Sequence, residues 1–161
     1  MRFRFTAHDV GLVLVLALAA GVLVALSTGV GVAQSGIDGC TELDQEGETY
    51  ELTADIQESN AETCLEITAD DITLDGMGHT IDGMDRVDDD SIGIFVTDAD
   101  GVTVENVAVT GWDTGIELSQ ADDGEIRESE VTANDWKGIY VVGTGTTITA
   151  SNSGPGATTT R

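Results

Sequence analysis

Basic side chains and proline are scarce in this sequence. Its 161 residues hold six Lys or Arg against 30 Asp or Glu, and one proline. A formal net charge of -24 excludes a nucleic-acid binder, which needs a basic face to displace the counterions around phosphates. Cysteine and histidine number two each, and without a Cys-x-x-Cys spacing the common zinc and haem sites are excluded. No Asn-x-Ser/Thr acceptor, EF-hand loop or glycine-rich calcium nonapeptide occurs, and Arg2 and Arg4 are not adjacent as a twin-arginine signal requires. The length allows a single domain. A hydrophobic content of 40% is too high for a disordered acidic tail, and 20 glycines beside one proline suit tightly turned β structure better than a helical bundle.

The acidity is concentrated after residue 33, since Arg2, Arg4 and Asp9 are the only charged side chains before it. The apolar run from Val10 to Ala33, broken only by glycines and Ser27-Thr28, has the pattern of an export signal. Gly31 and Ala33 offer a cleavage site, but a run longer than about 20 residues also suffices for a retained N-terminal membrane anchor. Both alternatives place the acidic part outside the cytoplasm, extracellular or on the cell surface. There Cys40 and Cys64 are expected to form a disulfide, the competing reading being two buried free thiols.

The main signal is a repeat. Gly93-Ile94, Gly115-Ile116 and Gly138-Ile139 are spaced 22 and then 23 residues apart. Apolar residues recur at matching offsets after the isoleucine, Val96, Val104 and Val109 in one unit and Leu118, Ile126 and Val131 in the next. Both units alternate as short strands do. Asp98 to Gly101, Gly111 to Asp113 and Ala121 to Gly124 supply turns between them. A third unit starts at Ile139-Tyr140-Val141 and an earlier one at Cys64 to Ile67 with Ile72 to Gly76. Such units cannot bury an apolar face alone, so they stack. The reading is all-β: a solenoid of roughly three to four short coils over 64–150, an N-terminal cap over 34–63 and a flexible tail over 151–161.

The run Leu74-Asp75-Gly76-Met77-Gly78-His79-Thr80-Ile81-Asp82-Gly83, preceded by Tyr50 to Ile56 and Cys64 and followed by the Gly-Ile repeats, resembles right-handed parallel β-helix proteins. The nearest type is the NosD-like group of carbohydrate-binding and sugar-hydrolase (CASH) domains, in its exported versions from salt-loving archaea. The resemblance covers about residues 40 to 150 and implies the fold. This solenoid carries lyases, hydrolases, adhesins, surface-layer parts and copper-delivery factors alike, so it implies no single activity.

Equal offsets in successive coils predict neighbours about 4.8 Å apart. Glu105 should therefore stack on Arg127, and Asp100 on Asp122. The stacked aspartates have three readings: solvated corner acids, a Ca²⁺ site, or a catalytic acid pair. A second group precedes the Gly-Ile pairs at one corner: Asp90, Trp112 with Asp113, and Asp135 with Trp136. Flat aromatic faces beside carboxylates suit sugar rings, and the alternative is that each tryptophan covers the edge of the adjacent coil. The NosD resemblance implies copper as a further possibility, with His79, Met77 and Met84 as the only nearby imidazole and thioether ligands.

A surface dense in acid repels itself unless salt screens it, so the expected setting is a halophile's exterior. The resulting expectation is an exported, non-catalytic module that binds extracellular polysaccharide or contributes to the cell envelope. A polysaccharide lyase or hydrolase is the alternative, and a structural spacer or a fragment of a larger surface protein the third. Partners are then envelope components, with membrane contact only through the N-terminal segment and self-association through an open C-terminal coil.

Overall fold

The computed structural model describes residues 34–84, 90–149, 151–153 and 158–160. Met1 to Ala33, where the signal or anchor is expected, lies outside the described residues. Among those described, no helix is long and apolar enough to cross a membrane.

Among the described residues seventeen short strands follow one another: β1 (Gln34–Ile37), β2 (Thr41–Leu43), β3 (Thr49–Leu52), β4 (Ile56–Ser59), β5 (Thr63–Ile67), β6 (Thr73–Asp75), β7 (Thr80–Gly83), β8 (Ile92–Thr97), β9 (Thr103–Glu105), β10 (Ala108–Thr110), β11 (Thr114–Ser119), β12 (Glu125–Arg127), β13 (Glu130–Val131), β14 (Lys137–Val142), β15 (Thr147–Thr149), β16 (Asn152–Ser153) and β17 (Thr158–Thr160). They sort into three parallel sheets. The first face is β2-β5-β8-β11-β14-β17, the second β1-β3-β6-β9-β12-β15 and the third β4-β7-β10-β13-β16. Each turn of the chain visits the three faces in that order, and the described strands complete five turns from β2 to β16.

The repeat read from the sequence sets the register: Ile94 lies opposite Ile116, and Ile116 opposite Ile139. Leu65 joins this column beside Ile94 despite the longer stretch between them. Inward columns build the core: Tyr50, Leu74, Val104 and Ile126 on the second face, and Ile56, Ile81, Val109 and Val131 on the third. All of these are buried. Ile148 extends the second-face column beyond Ile126 but is 39% exposed, because β15 is the last strand of its sheet. Gly93 and Gly115 precede their column isoleucines for steric reasons. A Cβ at Gly93 would lie 2.7 Å from the Gly115 carbonyl oxygen, and one at Gly115 2.7 Å from that of Gly138.

Two features differ from the sequence expectation of three to four coils. Within the stretch expected to cap the solenoid, β2, β3 and β4 already form a full turn, with Leu43 and Leu52 buried. Its period is hidden because β2 has no Gly-Ile pair and the β4 register slips between Ile56 and Ser59. At the other end, the segment expected as a tail contributes β16, paired with β13, and β17, paired with β14.

The corners differ in regularity. Between the first and second faces, five residues separate the strands in four successive turns (44–48, 68–72, 98–102, 120–124). Between the third and first faces the length varies, with three residues at 60–62, eight at 84–91, three at 111–113 and five at 132–136. Between the second and third faces it varies less, from two residues at 106–107 to four at 76–79. Insertions gathered mainly at one corner leave the stacked core intact and vary one face, often the binding face.

Candidate functional site: the variable corner and the first face

The variable corner carries Trp112, Asp113, Asp135 and Trp136, but it splits them between interior and surface. Trp112 is 2% exposed. Its indole Nε1–H donates to the Ile81 carbonyl at 3.2 Å and its main-chain N–H to Asn134 Oδ1 at 3.1 Å. Gly83 and Gly93 make room for the ring, since a Cβ at either would lie 2.9 Å and 3.1 Å from indole carbons. Asp113 is buried as well, with its N–H on Ser91 Oγ at 3.2 Å. Asp135 and Trp136 are exposed, Trp136 to 60%. Of the two tryptophans, Trp112 is therefore a core residue, as the packing alternative has it, and Trp136 alone is exposed.

One residue of chain length causes this. Val109 pairs with Val131, 22 residues on, while Ile116 pairs with Ile139, 23 residues on. The 132–136 corner absorbs the extra residue, so Trp112 stands four places before its isoleucine and Trp136 three. Asn134, which the sequence reading did not single out, fills the gap by accepting from Trp112 and donating through Nδ2 to the Val109 carbonyl at 3.2 Å.

Trp136 meets the outward side of the first face at β14. Lys137 opens that strand, and its Nζ lies 3.4 Å from the centroid of the Trp136 ring and 3.4 Å from that of Tyr140. An ammonium over two rings is held by both quadrupoles. Tyr140 points outward because Ile139 and Val141 on either side are core residues. In register with Tyr140 across the face come Glu117, then Phe95, then Glu66, all half-buried. Burial pushes the Glu117 carboxyl up, and the Lys137 charge pulls it back. Across β5, β8, β11 and β14 this outward row therefore alternates carboxylate and ring, and Glu42 adds a further carboxylate in register with Glu66. Along the same corner a groove of about 340 Å³ is lined by Glu58, Asp82, Met84, Thr110 and Ala133.

The aspartates expected to stack do so, in a form that occupies them. Asp70 Oδ1 accepts the Asp100 N–H at 2.8 Å, Asp100 Oδ1 accepts the Asp122 N–H at 2.8 Å, and Asp122 Oδ1 accepts the Thr144 N–H at 2.6 Å. Each carboxylate thus caps the next coil's corner amide and does not face its neighbour across a shared cation. Beside this ladder runs a left-handed column of Asp71, Gly101, Asp123 and Gly145, with φ of 58°, 68°, 55° and 77°. The Asp71 carboxylate lies over Gly101, where a Cβ would come within 2.5 Å of its Oδ1. Glycine in alternate coils therefore leaves room for each acid. Among the described residues, no group of three or more His, Cys, Asp and Glu is arranged to hold a metal ion.

The residues considered for copper have other partners or surroundings. His79 Nδ1 is 3.0 Å from Asp55 Oδ1, which also accepts the Thr80 N–H at 3.0 Å. These bonds hold the Asp55 carboxyl below the usual carboxylate range, the Thr80 amide contributing most. Met77 lines a groove of about 540 Å³ with Asn106, Val107 and Glu128, whereas Met84 lines the groove at the variable corner. Arg127, as expected, pairs with Glu105, and its Nε lies 3.8 Å from Glu125.

A family model described as a right-handed β-helix region matches residues 39–154, the stretch that contains all five turns. The chain belongs to the right-handed β-helix family. No curated protein and no solved structure matches it. In this right-handed β-helix the disulfide joins Cys40, just before β2, to the buried Cys64 of β5, and so ties the first complete coil to the second.

Proposed function

We propose that the protein is an exported, non-catalytic β-helix module of the NosD-like, CASH type, which binds polysaccharide of the cell envelope in concentrated salt. The carrying observation is Trp136, an indole 60% exposed yet held against the Lys137 ammonium, which also lies over Tyr140. It stands at the corner whose length varies most between coils. An exposed ring fixed in place stacks on a sugar without the entropy cost of ordering it first. Glu117 and Glu66 on the same face supply acceptors for sugar hydroxyls. A catalytic acid pair at Asp100 and Asp122 is disfavoured, because an oxygen of each is spent on a corner amide.

Fluorescence of the full chain in molar KCl, titrated with oligosaccharides, tests this reading. Trp112 is buried and serves as an internal fold reporter, so a ligand shift belongs to Trp136. The expected result is a saturable shift that disappears in Trp136→Ala while the Trp112 signal persists. A folded protein that responds to no sugar would leave a structural envelope role in its place.

A further inference from the structure

Lys137 looks like the natural anchor for an acidic sugar in a chain this short of cations, but the geometry points elsewhere. Its ammonium is 3.4 Å from two ring centroids at once, which places the charge between the rings and not at the ligand surface. The other described cationic or imidazole side chains are also engaged: Arg127 with Glu105 and Glu125, and His79 with Asp55. In register with Tyr140 toward the start of the chain come Glu117, Phe95, Glu66 and Glu42, so a sugar lying along them meets carboxylates and no unengaged described cation. A uronate would bring like charge against Glu117, which is already partly desolvated. A hydroxyl in the same place would donate to it.

We infer that this platform takes uncharged polysaccharide and rejects uronate-bearing chains, and that Lys137 is a positioning residue that fixes Trp136 and Tyr140. This inference rests on the polysaccharide reading above. Removing the charge frees the indole, whereas an arginine can still stack between the rings. The ligand selectivity belongs to the Glu117 face, and the strength of stacking to the Lys137 clamp.

The test compares a neutral oligosaccharide with a uronate oligosaccharide of equal length on the full chain in molar KCl. Screening to about 3 Å there silences the remote charge of the protein, so remaining discrimination reports contact groups. The expected preference for the neutral sugar is roughly tenfold. Lys137→Met should weaken neutral binding by about two- to fivefold, raise acrylamide quenching of Trp136, and leave the order of preference intact. Lys137→Arg should restore both readouts, and Glu117→Gln should narrow the preference. Uronate binding as tightly as the neutral sugar, or uronate binding lost on Lys137→Met, would overturn the inference and leave the polysaccharide reading standing. Unchanged quenching in Lys137→Met would overturn the positioning role. Silence toward both sugars would overturn the polysaccharide reading itself and this inference with it.

Discussion

Trp112 and Trp136 show how little residue type settles by itself. Both were legible as members of one corner, because that follows from their distance to the Gly-Ile pairs. Which one is buried was not, since it depends on the space left by Gly83 and Gly93 and on the additional residue in 132–136. Trp112→Ala should cost about 3–5 kcal/mol in urea denaturation, the range for emptying an aromatic core site. Trp136→Ala should cost less than about 0.5 kcal/mol, as surface changes do. Equal losses in the two variants would contradict the split described above. Two carboxyls make a matching prediction for pH. Asp55 is lowered when folded, so its contribution is present above the ordinary aspartate range and is lost as pH falls through its folded value. The melting difference between parent and Asp55→Asn should therefore close in strong acid. Glu117 is raised, so its contribution is favourable in acid and disappears as pH rises through its folded value. Glu117→Gln should melt slightly higher than the parent at pH 7, by well under about 1 kcal/mol because the group is largely solvated, and no higher at pH 4.

At the scale of elements, the corner ladder explains why aspartate recurs where a calcium site was a possible reading. Spacing placed Asp100 next to Asp122, and the structure agrees. It could not say that the oxygens turn onto the backbone, because this depends on the dihedral angles of a five-residue corner. An unpaired corner amide is costly, so Asp122→Ala should lower stability by about 1 kcal/mol. Asp122→Asn, which keeps the accepting oxygen, should change it little. A calcium site would reverse this pattern, with Asn as damaging as Ala and with a chelator lowering the melting temperature. No chelator effect is expected from a ladder. Coil number was legible only where the Gly-Ile mark recurs. The β2–β4 turn lacks that mark, and its irregular pairing at β4 breaks the period, so physical stacking continues past the point where the pattern ends.

For the whole molecule the dominant quantity is charge, since a net -24 over 161 residues opposes folding in dilute buffer. Two local devices work against this repulsion. The Cys40–Cys64 bond spans a sequence separation of 24, and on the chain-entropy model such a loop adds roughly 3–4 kcal/mol. The ladder amides and alternating corner glycines keep stacked acids apart in the regular coils. Neither device removes the long-range term, which only mobile ions can screen. Raising KCl from about 0.1 M to about 1 M shortens the screening length from about 10 Å to about 3 Å, less than the spacing between neighbouring coils. The melting temperature of the full chain should therefore climb steeply over that interval and flatten beyond it. A surface held by specific divalent ions would behave differently, losing its fold to a chelator at every salt concentration. A melting temperature that stays constant with salt would remove concentrated salt from the proposed setting, leaving the aromatic platform to be judged on its sugars alone.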